Sequence, residues 1–110
     1  MGIFNKDSDE AKAYEEVTNA PHKANLTHEL IAAAASYEAA KKYEEHSDDY
    51  GQPDSHFQAQ ELIAALTGGF IDHIVETKGL DYLDKVKAHQ LAKQQLQKQI
   101  DSHPEYSFDR

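Results

Sequence analysis

A run of small residues, Leu30-Ile-Ala-Ala-Ala-Ala-Ser-Tyr37, returns 32 residues later as Leu62-Ile-Ala-Ala-Leu-Thr-Gly-Gly69, and no other feature constrains the fold of this chain so strongly. Alanine and glycine carry no reactive atoms, but side chains this short let two helix backbones approach closely. The near-repeat therefore predicts packing between helices. Gly68 and Gly69, inside the second run, each cost a helix about 1 kcal/mol relative to alanine. That loss predicts a tight crossing at this point, with Ala32 to Ala35 as the smooth opposing surface.

Helix boundaries follow from local chemistry. Asp7 to Thr18 has helical composition and stops before Asn19-Ala-Pro21, where proline blocks continuation. Thr27 is suited to cap a second helix from His28 to about Ser47, with Leu26 and Ile31 placed to form a hydrophobic staple. Asp48 to Asp54 is dense in turn residues and short enough to return the chain antiparallel. Ser55 followed by Gln58 is a capping-box pattern opening a third helix to Lys78, ended by Gly79. Its core stripe reads Ala59, Ile63, Leu66, Phe70, Ile74 and Thr77. Asp81 can cap a fourth helix from Tyr82 to about Ile100, packed through Leu83, Val86, Leu96 and Ile100.

No segment alternates as a strand does, so the expected fold is all-α. It is an antiparallel bundle of three long helices plus a short N-terminal helix, one domain over residues 1–110, with residues 1–6 and 102–110 as tails.

Twenty Asp and Glu against eleven Lys and Arg leave a formal charge of −9, which repels phosphate backbones and disfavours nucleic acid as a partner. The acids concentrate in residues 1–55, whereas Lys85 to Lys98 holds four lysines and no acid, a stretch able to meet an acidic neighbour. There is no cysteine for a disulfide, a thiolate metal site or a nucleophile. No apolar run approaches the ~20 residues of a membrane span, and Met1 to Phe4 is too short for a signal-peptide core. A cytoplasmic protein is expected. On that basis Asn25-Leu-Thr27 reads as a helix entry and not as a glycosylation acceptor.

Several words of the sequence are distinctive together: Asn19-Ala-Pro-His-Lys-Ala24, His28-Glu-Leu-Ile-Ala-Ala-Ala-Ala-Ser-Tyr-Glu-Ala-Ala40, Tyr43-Glu-Glu-His46, Ser55-His56 and Glu76-Thr-Lys-Gly-Leu-Asp81. They resemble the concanamycin-induced protein C family, small and mostly fungal proteins carrying a domain of unknown function. The resemblance covers roughly residues 10–95. It implies an intracellular protein of antibiotic or stress response, and it brings no catalytic residues with it.

Seven histidines invite a metal reading, which spacing must decide. Two helical ligands on one ion sit three or four residues apart, and no His–His pair does. His28-Glu29 begins the zinc motif His-Glu-x-x-His, but Ala32 stands where the second histidine belongs. Topology can still gather separated groups. An antiparallel second and third helix would bring His28, His73, Glu76 and Asp81 to one end of the bundle as a candidate ligand cluster, with His46 and His56 at the other. Helix-end electrostatics accounts for the same residues: Asp81 as a cap, His73 and Glu76 as an exposed (i, i+3) pair. Glu38, at the edge of an apolar face, is either a tuned carboxylate or a partner of Lys42.

The sequence thus favours a non-enzymatic, cytosolic stress-response protein acting through self-association or contact with a protein partner. The alternative is a bundle binding a metal, a non-covalent haem or another small ligand, with weak catalysis.

Overall fold

The computed structural model describes residues 4–50 and 56–102. The described chain forms α1 (Asp9–Asn19), α2 (His28–Tyr50), α3 (His56–Lys78) and α4 (Lys85–Asp101). The Ser55 cap, the turn at 51–54 and most of the two expected tails lie outside the described residues, as does the side chain of His56.

Local chemistry sets most of the boundaries. Ser8 caps α1 by accepting from the Ala11 amide at 3.1 Å, one residue beyond the expected start. Thr27 accepts from the Leu30 amide at 3.0 Å, and the Leu26–Ile31 staple flanking it is buried. α2 continues through Asp48, Asp49 and Tyr50, residues expected in a turn. A helix already several turns long adds residues at little cost, so their weak propensity does not stop it. At the end of α3, Gly79 takes φ +67° while the Leu80 amide reaches back to the Val75 carbonyl at 3.1 Å, closing a Schellman motif.

The fourth helix begins later than Asp81. Asp84 is its cap, accepting from the Lys87 amide at 3.1 Å, and Asp81 is exposed before it. A turn from the Leu83 amide to the Leu80 carbonyl, with the Tyr82 hydroxyl fixed on Leu26, holds residues 80–83 outside the helix. The new phase turns Val86 outward, 67% exposed, and puts Ala88, Ala92, Leu96 and Ile100 inside.

Core composition gives the helix directions. One buried cluster joins Val17, the start of α2 (Ile31 to Ala35), the end of α3 (Ile71, Ile74) and the start of α4 (Ala88, Ala92). A second joins the later parts of α2 (Ala39, Ala40, Tyr43), the early part of α3 (Ile63) and the end of α4 (Leu96, Ile100). Successive helices therefore run antiparallel. Each fully buried Ile, Leu or Val contributes about 1.5–3 kcal/mol, while the buried alanines bring backbones close enough for dispersion contacts.

The small residues of α3 are used differently from the expectation. A β-carbon on Gly68 would lie 3.1 Å from Cε1 of His89, so this glycine makes room for an imidazole of α4 and not for the alanines of α2. Gly69 is exposed, with nothing within 4 Å of where its β-carbon would stand. The inner stripe runs Ala59, Ile63, Thr67, Ile71, Ile74, whereas Leu66 and Phe70 are half-buried and Thr77 is exposed. Thr67 satisfies its buried hydroxyl by donating to the Ile63 carbonyl at 2.8 Å.

Candidate functional site in a cleft between α1, α2 and α3

The loop from Ala20 to Thr27 is clasped against the end of α3 and the start of α4. Lys78 donates through Nζ to the carbonyls of Thr18 at 2.9 Å and Ala20 at 2.5 Å, answering acceptors at the C-terminus of α1. The Lys23 amide donates to the Lys78 carbonyl at 2.6 Å. Tyr82 accepts from the Leu26 amide and donates to the Leu26 carbonyl, each at 2.7 Å. His28 accepts the Asp84 amide at Nε2, 2.9 Å away, which places the ring proton of its neutral form on Nδ1.

This clasp fixes one end of a cleft of about 550 Å³. α1 supplies Tyr14 and Thr18, α2 supplies Glu38, and α3 supplies Phe70, His73, Ile74, Thr77 and Lys78, with His22 entering from the loop. A neighbouring trough of about 270 Å³ shares Glu38, Phe70 and His73 and continues over Lys42, Ala65, Leu66 and Gly69. Together they form one open face.

Aromatic packing shapes its inner wall. The Tyr14 ring lies 5.3 Å from Tyr37 and 5.9 Å from Phe70, centroid to centroid, and Phe4 extends the cluster at 6.4 Å from Tyr37. Lys41 stands 5.6 Å from the centroids of both Tyr14 and Tyr37, within cation–π range. Burial, then the charge and hydrogen bonding of Glu38, and last the neighbouring Tyr37 phenol raise the pKa of Tyr14 above its ordinary value. Tyr14 is thereby held as a neutral hydrogen-bond donor. The other side of Glu38 faces Lys42 at 3.6 Å, the (i, i+4) pairing its spacing allows.

Of the four candidate ligands, His73 alone lines the cleft. His28 serves the clasp, while Glu76 and Asp81 are exposed. Among the described residues no group of three or more His, Asp or Glu side chains could hold a metal ion. Nor is any helix among them long and apolar enough to cross a membrane. Tyr14, Thr18, His22 and Lys78 are cleft residues that spacing did not single out, and Thr77, expected on the core stripe, is exposed on the cleft wall. The advance sign for His22 and Lys78 was their place in the distinctive words around Pro21 and Gly79.

Residues 13–103 match the family described as virulence factor CipC-like. The chain belongs to the CipC-like family. The match contains every residue of the clasp and the cleft, so both lie within the CipC-like region. No curated protein and no solved structure matches the chain.

Proposed function

We propose that this CipC-like protein is a non-enzymatic, cytosolic stress- or antibiotic-response protein that acts by protein contact, and that a second copy docks on the α3 trough. One observation carries the reading: Gly69 occupies the middle of a long helix, is exposed, and has no neighbour that its missing side chain accommodates. Its cost of about 1 kcal/mol is unexplained inside the folded chain, unlike that of Gly68. A helix approaching from outside gives it a use.

The surroundings fit that approach. Ala65 and Gly69 form a smooth strip bordered by half-buried Leu66 and Phe70. The rim carries both signs of charge, Glu38 and Lys42, so the same patch on two copies related by a two-fold axis can pair opposite charges. A net charge of −9 opposes close approach of two copies, and the balanced rim offsets this locally.

Sedimentation equilibrium tests the reading. The wild-type protein should show a concentration-dependent dimer, and Gly69→Trp should weaken it at least about tenfold while retaining helical content. A strict monomer at every concentration, with no protein partner captured, sinks it.

A further inference from the structure

Two hydroxyls that line the cleft have already committed their protons. Thr18 donates its hydroxyl proton to the Tyr14 carbonyl at 2.8 Å, and Thr77 donates its own to the His73 carbonyl at 2.7 Å. A hydroxyl has one proton and two lone pairs, so each threonine has only acceptor capacity left. Glu38 adds a carboxylate, whose oxygens have capacity for more partners than Tyr14 and Lys42. The remaining wall combines the rings of Tyr14 and Phe70 with Ile74, the imidazoles of His22 and His73, and Lys78.

Acceptors combined with π-faces suit a cation, and a −9 chain concentrates cations around it. The three lysines in the neighbourhood leave this possibility open. Lys78 is spent on the carbonyls ending α1, and Lys41 lies on the Tyr14 and Tyr37 rings. Lys42, 3.6 Å from Glu38, stands at the rim with a side chain 55% exposed, and an exposed pair of this kind binds the carboxylate weakly. A neutral apolar guest would leave the spare acceptor capacity of the carboxylate and both hydroxyls unused, and an anion would meet Glu38 directly.

We infer that this cleft is a binding site for an ammonium group, presented by a small organic amine or by the lysine side chain of a docked protein. The ammonium would donate to Glu38, Thr18 and Thr77, with its alkyl stem along Phe70 and Ile74. The inference goes beyond the contact proposed above, because a monomer can display it.

Amide NMR titration at about pH 8 tests it with n-butylamine, Nα-acetyl-lysine amide and, as the neutral counterpart, n-butanol. One or both amines should shift the amides of Tyr14, Thr18, Phe70 and Thr77, and butanol should not. Glu38→Gln should weaken amine binding about tenfold, and Thr77→Val, at an exposed position, roughly threefold. Binding of butylamine alone assigns the site to free amines; binding of the lysine amide alone assigns it to a protein side chain. Absence of amine-dependent shifts, equal shifts with butanol, or unchanged affinity in both variants overturns the inference. Should Glu38→Gln fail to fold, Thr77→Val decides. Amine binding by a protein that stays monomeric would uphold the site while the self-association reading fell.

Discussion

His89 of α4 lies against Gly68 of α3: its Nε2 is 2.9 Å from the Ala64 carbonyl oxygen, and a β-carbon on Gly68 would come 3.1 Å from its Cε1. The glycine and the imidazole are a fitted pair. Gly69, one residue on, faces open space.

These adjacent glycines should respond oppositely to the same substitution. Gly69→Ala gains helix propensity without a clash and should stabilise the chain by about 0.5–1 kcal/mol. Gly68→Ala gains the same propensity but pushes the His89 ring from the Ala64 carbonyl, for a net loss of about 1 kcal/mol. Urea unfolding monitored by circular dichroism measures both. Equal gains from the two substitutions would show that His89 does not occupy the space Gly68 leaves.

Lys78 holds the end of α1 through two charge-assisted hydrogen bonds. Lys78→Met keeps most of the apolar stem and removes both bonds, so a loss of about 1.5–3 kcal/mol is expected. Hydrogen exchange should accelerate first in α1. Unchanged α1 protection would contradict this role.

Gly79 is constrained twice, by φ +67° and by His22, whose Nε2 would lie 2.7 Å from an added β-carbon. Gly79→Ala should cost about 1–3 kcal/mol. Adding His22→Ala should recover the steric part and leave the backbone part. A double variant no more stable than Gly79→Ala alone would place the whole cost in the backbone.

Burial pushes the Tyr43 phenol up to about 12. Its folded pKa therefore exceeds its unfolded value of about 10, so the folded state retains the proton more tightly. The associated stability is present below pH 10 and is lost as pH rises through about 12, on the order of 2–3 kcal/mol. Tyr43→Phe should flatten stability against pH in that window. An alkaline slope identical in the variant would assign the loss to other groups.

Sequence patterns revealed the helices because their ends are decided locally. Thr27 meets the Leu30 amide three residues away, and Gly79 supplies the one conformation its turn requires. The start of α4 was harder to read, since Asp81 and Asp84 offer the same capping chemistry. The choice between them depends on Tyr82 reaching Leu26, 56 residues back. Gly68 and Gly69 likewise look alike in sequence, and only the position of α4 gives one of them a partner.

The cleft was less legible. Its residues come from three helices and a loop, and none of Tyr14, Thr18 or Thr77 is unusual in its own segment. Glu38 could be narrowed to two roles by spacing alone. The fold joins those roles, placing the carboxylate between the Tyr14 phenol and Lys42.

Amide NMR spectra recorded over a concentration series most directly test whether the α3 trough is the contact surface. As protein concentration rises, shifts should grow from Leu62 to His73, centred on Gly69, while the lysine-rich face of α4 stays constant. Superimposable spectra at every concentration, or shifts centred on α4, would contradict the account.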